Sequence, residues 1–327
     1  MSFTGNPGKI SEMKAYIPNS AFLGNINSFL SALDLSDEQK LEISTNPKWM
    51  SVHPVVISMI AALGTKVGIE KKNIFCGEIL APSGHYLKRM GLFDFLKINP
   101  KVKSIQEHEP AGRLIPLTQI RNSDELEKFL KDLVPLLHLD REPKHAVAIQ
   151  HIFSELVRNV LEHANEPSGA IVCAQYFRKS NKISIGVVDI GIGLKLSISR
   201  SYSVKDDLDA IRLALTPGVT GTTRKPGGTQ ENAGFGLFLI KSIAYVNSDY
   251  FLILSGNKMY KLIQRKGQAL NLKANPLEDR YSSMDIQPWK GVAVGVDISL
   301  NQTQEFDTLL DAIHKFYAQE VKGQKKQ

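Results

Sequence analysis

Three short stretches carry side chains whose types and spacing could do chemistry. In "SELVRNVLEHA", Glu155 and Asn159 stand four apart beside an apolar stripe of Ile152, Phe153, Leu156, Val157 and Val160, so both lie on one polar arc of a helix. In "VVDIGIGL", Asp189 ends an apolar strand, and Gly191 and Gly193 open a long loop. In "AGFGLFLI", Gly234 and Gly236 flank Phe235 at the start of an apolar helix that continues through Leu237. Two glycines in a first turn cost about 1–2 kcal/mol relative to alanine. That arrangement suits a ligand lying against bare backbone, and a helix N-terminus attracts phosphate through its unpaired N–H groups and the positive end of its dipole. Taken singly, the first stretch equally describes a solvated helix face and the second a strand-to-turn junction.

The elements around these stretches divide in two. Over residues 10–122, "MKAYIP", "KLEIST", "NIFCGEIL" and "RLIPLTQI" read as strands. Between them lie helices over "SAFLGNINSFLSAL", from Pro54 to Leu63 with Gly64 as the stop, and over "SGHYLKRMGLFDFL" opened by Ser83. This βαβαβαβ order predicts an open α/β sheet covered by helices. Residues 123–320 read as α+β. A helix over "SDELEKFLKDLVPLLHL" leads to a long one from Pro143 to about Asn165, and "GAIVCAQYFRK" and "KISIGVVDI" then form a hairpin. The strands "DYFLILSG", "KMYKLIQRKG" and "GVAVGVDISL" follow, with a last helix from about Gln304 to Ala318. The stretch 194–233 holds one short helix, "KDDLDAIRLAL", and then "TPGVTGTTRKPGGTQEN"; a loop of that length inside a domain predicts a lid. Residues 321–327 form a basic tail.

Composition narrows the function classes. The 327 residues are 43% hydrophobic and 22% charged, with a net charge of +7 that lies partly in the tail and forms no basic stripe interleaved with aromatics, so nucleic acid is not indicated. The longest strongly apolar run, Val55 to Leu63, falls far short of the ~20 residues of a membrane span. Cys76 and Cys173 each sit in an apolar run and predict reduced thiols, hence a cytoplasmic location. No G-x-x-x-x-G-K-[ST] is present, "GIGLKL" lacks the third glycine of a dinucleotide fingerprint, and no zinc spacing occurs.

In order and spacing, the three stretches resemble the boxes of the GHKL ATPases: the gyrase-type, heat-shock chaperone, histidine-kinase and mismatch-repair enzymes. The resemblance implies a Bergerat α/β sandwich over 123–320 with an ATP lid at about 194–233. It implies ATP and magnesium as ligands, with Asn159 on the metal, Asp189 accepting from the adenine amino group, Gly191 and Gly193 beside the base, and Gly234, Gly236 and Leu237 at the phosphates. Glu155, four residues before the Asn, becomes the general base, and Lys241, Arg224 and Lys225 become charge partners of the phosphates. The family often has a Thr beside the adenine where this chain has Val292 and Ala293. No phosphoacceptor motif surrounds His138, His145 or His151, unlike a two-component histidine kinase.

Residues 10–122 resemble, less specifically, the STAS fold of anti-sigma-factor antagonists, although only Ser51 remains of that family's Asp-Ser-Gly turn. Together the two resemblances imply an ATP hydrolase that acts as a nucleotide-gated switch on a protein partner, an arrangement compatible with a homodimer. Two alternatives stay open. One is a serine/threonine kinase of the anti-sigma type acting on a STAS-like partner, and the other is a nucleotide-binding module without turnover.

Overall fold

A computed structural model describes residues 12–36, 39–69, 73–103, 113–137, 139, 143–219, 235–263, 272–300 and 306–324. Among the described residues the chain is mixed α/β and builds two sheets. The first has strands β1 (Met13–Ile17), β2 (Leu33–Asp34), β3 (Leu41–Thr45) and β4 (Ile74–Cys76) in the order β2-β1-β3-β4. Here β1 pairs antiparallel with β2 and parallel with β3, which pairs parallel with β4. The second contains β5 (Leu114–Ile120), β6 (Ala170–Phe177), β7 (Lys182–Val188), β8 (Phe251–Leu262) and β9 (Tyr281–Ser299), all antiparallel in the order β5-β6-β7-β9-β8.

Ten helices occur among the described residues. They are α1 (Asn27–Leu30), α2 (Pro54–Val67), α3 (His85–Arg89), α4 (Leu92–Leu96), α5 (Ser123–Leu136), α6 (Pro143–His163), α7 (Gly193–Ser199), α8 (Asp207–Ala214), α9 (Gly236–Val246) and α10 (Phe306–Gln324). None is long and apolar enough to cross a membrane. Both cysteines are free; burial pushes the half-buried Cys76 thiol up to about 11 and the buried Cys173 thiol up to about 12.

Strand alternation gives the five-stranded sheet two apolar faces. Val172, Ile185, Val187, Ile253, Val294 and Val296 join a core with α5, α6, α9 and α10, whereas Ile171, Cys173, Val188, Leu252 and Leu254 join the core that contains α2 and the first sheet. From Pro54 through Gly64 every residue of α2 is buried, as expected for a helix apolar all round. Two glycines admit it. Gly186 on β7 and Gly295 on β9 face each other in register, and a Cβ on Gly186 would overlap the Val55 backbone and lie 2.7 Å from the Pro54 carbonyl carbon.

A polar clasp fixes the same junction. His53 caps α2 by accepting the Val55 N–H at Nδ1 (3.1 Å), and its Nε2 lies 3.3 Å from Asp297 Oδ1, which also accepts from the Ser184 hydroxyl. Burial pushes the Asp297 carboxyl up, but the bonds from His53 and Ser184 and the nearby Lys182 charge outweigh it and hold the group below its ordinary value.

Several elements differ from expectation for local reasons. The strand at 113–120 is β5 and pairs with β6 in the second sheet instead of closing the first. Gly64 does not stop α2, because it is the contact that admits Leu96; the helix ends at Val67, capped by Gly68 with φ of 85°. The expected helix over 20–33 is a single 3-10 turn, α1 and the short strand β2, and the Asn25 side chain accepts from the Phe22 N–H where that turn begins. The helix from Ser83 divides into a 3-10 turn, α3 and α4 at Gly91, whose φ is 76°. Of the strand expected over 73–80, residues 74–76 form β4, and Ile79 pairs separately, as an isolated parallel bridge with Val102. "DYFLILSG" and "KMYKL" form one strand, β8, bulged between Ser255 and Lys258. The stretch after Asp189 holds two helices, α7 and α8, where one was expected, while most of the glycine-rich "TPGVTGTTRKPGGTQEN" lies outside the described residues.

The glycine window yields a test. Gly186→Ala meets backbone on α2 that no rotamer change relieves, so it should destabilise the protein by about 3 kcal/mol or more, read from urea unfolding midpoints. Stability within about 0.5 kcal/mol of the parent would show that α2 does not press on the sheet there.

Candidate functional site

Helix α6 organises the site. Its apolar stripe, Ile149, Ile152, Phe153, Leu156, Val157 and Val160, packs into the core, which leaves Glu155 and Asn159 on the adjoining arc, each half-buried. The start of α9 meets this arc. A Cβ at Gly236 would overlap the Glu155 carboxylate and lie 3.2 Å from the Glu155 Cβ, so the bare backbone of the first turn of α9 rests directly on Glu155, 81 positions earlier in the chain. Phe235 anchors that turn from the other side, its ring edge-on to His314 at 4.4 Å and to Tyr317 at 5.0 Å, both on α10.

The C-terminal end of α6 holds the second stretch. The Ile192 N–H donates to the Ala164 carbonyl (2.9 Å), and a Cβ at Gly191 would overlap that same carbonyl. Asp189 follows the alternation of β7 onto the α6 face and is 2% exposed. Its Oδ1 accepts from the Gly191 N–H (2.7 Å), and its own N–H donates to the Val292 carbonyl (2.9 Å). Gly291, with φ of 97°, lies so close that a Cβ there would be 2.6 Å from Asp189 Oδ1. One helix therefore bears Glu155 and, about 13 Å along its axis, the turn that presents Asp189.

Burial dominates the electrostatics. It pushes the Asp189 carboxyl up to about 7, against the downward pull of the Gly191 and Val292 backbone groups, and Glu166 adds to the rise. Glu155 is raised by burial and by Glu162, with the charges of His151 and Arg158 opposing. The Asn159 Nδ2 atom is buried without a hydrogen-bond partner among the described residues. Which end of such an amide is oxygen is an assignment, so one end of Asn159 is uncommitted to the fold.

The structure thus brings together Glu155, Asn159 and Gly236 at one end and Asp189, Gly191 and Gly193 at the other. Leu237 packs half-buried against the core. Lys241, expected at the phosphates, is buried instead: Nζ donates to Asp279 Oδ2 (2.6 Å) and to the Lys273 carbonyl (3.4 Å), and burial lowers its pKa. That ammonium is committed to the fold. Gly234, Arg224 and Lys225 lie outside the described residues. No group of three or more His, Cys, Asp or Glu side chains is placed to hold a metal among the described residues.

Sequence reasoning missed Ser255, Gly291 and Asp207. Ser255 Oγ donates to the Gly291 carbonyl (2.8 Å) and accepts the Leu194 N–H (3.0 Å). Asp207 accepts the Asn257 N–H (3.0 Å) beside Gly256, whose φ is 60°. The signal for this region was a glycine within an apolar strand, "LSGN", which marks a bulge.

Comparison with protein-family models finds no match for this chain, and comparison with curated proteins finds none either.

A buried carboxyl held near 7 implies a stability signature. Between about pH 4 and 7 the folded state keeps a proton on Asp189 that the unfolded chain releases, so this contribution is complete at low pH and is lost as pH rises towards 7. Asp189→Asn keeps the shape without the charge, and it should stabilise the ligand-free protein by about 1–3 kcal/mol at pH 8 and by much less at pH 4. Urea unfolding of both proteins at the two pH values measures this; equal differences at both would contradict a desolvated carboxylate.

Proposed function

We propose that this chain binds ATP with magnesium along α6, the base at Asp189 and the phosphates at the start of α9, and that it hydrolyses ATP as a GHKL-type enzyme. The observation that carries this reading is the seating of Gly236 on Glu155. A glycine N-terminal turn, a half-buried carboxylate and a half-buried Asn are gathered from distant parts of the chain, and a buried Asp lies about one nucleotide's length away along the same helix.

Each group suits its part. Asp189 is buried where a hydrogen bond to a purine amino group would decide which base is accepted. Bare N–H groups and the dipole of α9 favour phosphate oxygens. Asn159 would offer magnesium a neutral oxygen, and the ion, which takes its remaining ligands from phosphates and water, needs no cluster of protein carboxylates. When bound, magnesium supplies charge neutralisation at the phosphates. A carboxyl raised by burial makes Glu155 a stronger base towards an attacking water than an exposed carboxylate.

The four-stranded mixed sheet supports a STAS-like N-terminal unit. Docked through α2 on the opposite face of the site's own sheet, that unit supports a nucleotide-gated switch on a protein partner.

Two substitutions separate binding from chemistry. Glu155→Ala should keep ATP affinity within a few-fold while turnover falls about 10²–10⁴-fold. Asn159→Ala should weaken magnesium-dependent binding and turnover together. Titration with ATP and GTP and an assay of released phosphate decide it: absence of ATP binding by the unaltered protein ends the proposal, and full turnover by Glu155→Ala removes the catalytic role.

A further inference from the structure

Taking the site as an ATP site, on which this inference rests, we infer that Ser255 is a positioning residue for the base end, setting selectivity for adenine without touching the base. Ser255 is 3% exposed and stands on β8 opposite Val292 of β9. Its hydroxyl hydrogen donates to the Gly291 carbonyl at 2.8 Å, and its oxygen accepts the Leu194 N–H at 3.0 Å. One side chain therefore joins the bulge of β8, the start of the apolar part of β9 and the first turn of α7.

What it joins is the backbone packed against Asp189. Gly291 sits against the Asp189 carboxylate at a backbone angle that side chains rarely adopt, and the next residue, Val292, bonds the Asp189 main chain at 2.9 Å. On the other side, Gly193, with φ of 76°, leaves room for the hydroxyl: a Cβ there would be 3.0 Å from Ser255 Oγ and 3.3 Å from the Gly291 carbonyl. The bulge is itself held, since Asp207 at the head of α8 accepts the Asn257 N–H. Removing the hydroxyl leaves a buried carbonyl and the Leu194 N–H without this partner. Without that hold the Gly291 carbonyl and the Leu194 N–H are free to shift, and with them the segment that fixes Asp189, whereas Glu155 and Asn159 are placed by α6 and Gly236 by the contacts of Phe235 with α10. Loss of Ser255 should therefore be felt by the base and not by the phosphates.

The test compares ATP, GTP and inorganic tripolyphosphate as ligands of the full chain with magnesium. Ser255→Ala should weaken ATP about tenfold and leave GTP and tripolyphosphate within about twofold, so that the preference for adenine narrows about tenfold. Ser255→Thr, which restores the hydroxyl, should keep the parent preference. Ser255→Cys fills the same space with a weaker bonding group and should narrow the preference in the same direction, which decides the matter if the alanine variant does not fold. Equal weakening of all three ligands, or an unchanged preference in the Ala and Cys variants, overturns the role of Ser255 while leaving the ATP site standing. A parent protein that binds GTP as tightly as ATP, or that binds neither, overturns the ATP-site reading and this inference with it.

Discussion

The seat of α2 between two sheets constrains everything else. A helix buried around its whole circumference must find apolar partners on every side, and Val55, Val56, Ile57, Ile60 and Leu63 find them in the first sheet and in the back face of the second. Close approach at its N-terminal end needs sheet backbone without side chains, which the Gly186–Gly295 pair supplies. At about 25 cal/mol per Å² of apolar surface removed from water, such a helix contributes more to holding the two sheets together than the single clasp of His53, Asp297 and Ser184. The clasp instead specifies where the helix sits. His53 can satisfy both Val55 and Asp297 only when the first turn of α2 stands over the registered pair of Ser184 and Asp297.

With the back face of the sheet closed in this way, its front face is free to hold charge. Asp189 and Glu155 are both raised by burial, and both oppose folding while they are ionised. A fold that keeps two such groups beside an uncommitted Asn amide is less stable than one with apolar residues in their place. The sheet interior and α6 offset the loss. Helix α6 alone buries Ile149, Ile152, Phe153, Leu156 and Val157, and the same helix then serves as the rigid span between the two ends of the site.

Much of this was legible from local pattern. The stripe on α6, the hairpin of β6 and β7 and the spacing of Glu155 and Asn159 depend on periodicity within a few turns, and such signals survive folding. What was not legible depends on partners far along the chain. Gly64 reads as a stop until Leu96 is known to fill the space beside it, and Lys241 reads as a phosphate ligand until Asp279 is known to lie 2.6 Å away. The strand at 114–120 has a pattern compatible with either sheet; its antiparallel partner β6 begins fifty residues after it ends. Ser255 gave no signal because a lone serine in a strand is ordinary, and only the return of β9 with Gly291 gives its hydroxyl a carbonyl to hold.

The two halves of the chain meet through the same pair of strands that presents Asp189. On β7, Ser184 belongs to the clasp and Asp189 follows the end of the strand; on β9, Asp297 belongs to the clasp and Val292 bonds the Asp189 main chain. Five residues separate the two functions on each strand, and the strands are paired throughout, from Ser184 opposite Asp297 to Val188 opposite Ala293. A close-packed sheet of this kind does not bend to absorb a shift at one end, because its neighbours on both faces are already in contact. A displacement of Gly291 or Asp189 is therefore carried either into the α7–α8 segment, which is tied to β8 through Asp207, or along β7 and β9 to the seat of α2. For a nucleotide-gated protein of the kind proposed, the docking of the N-terminal sheet and the Asp189 end of the site are thus joined through the paired strands β7 and β9.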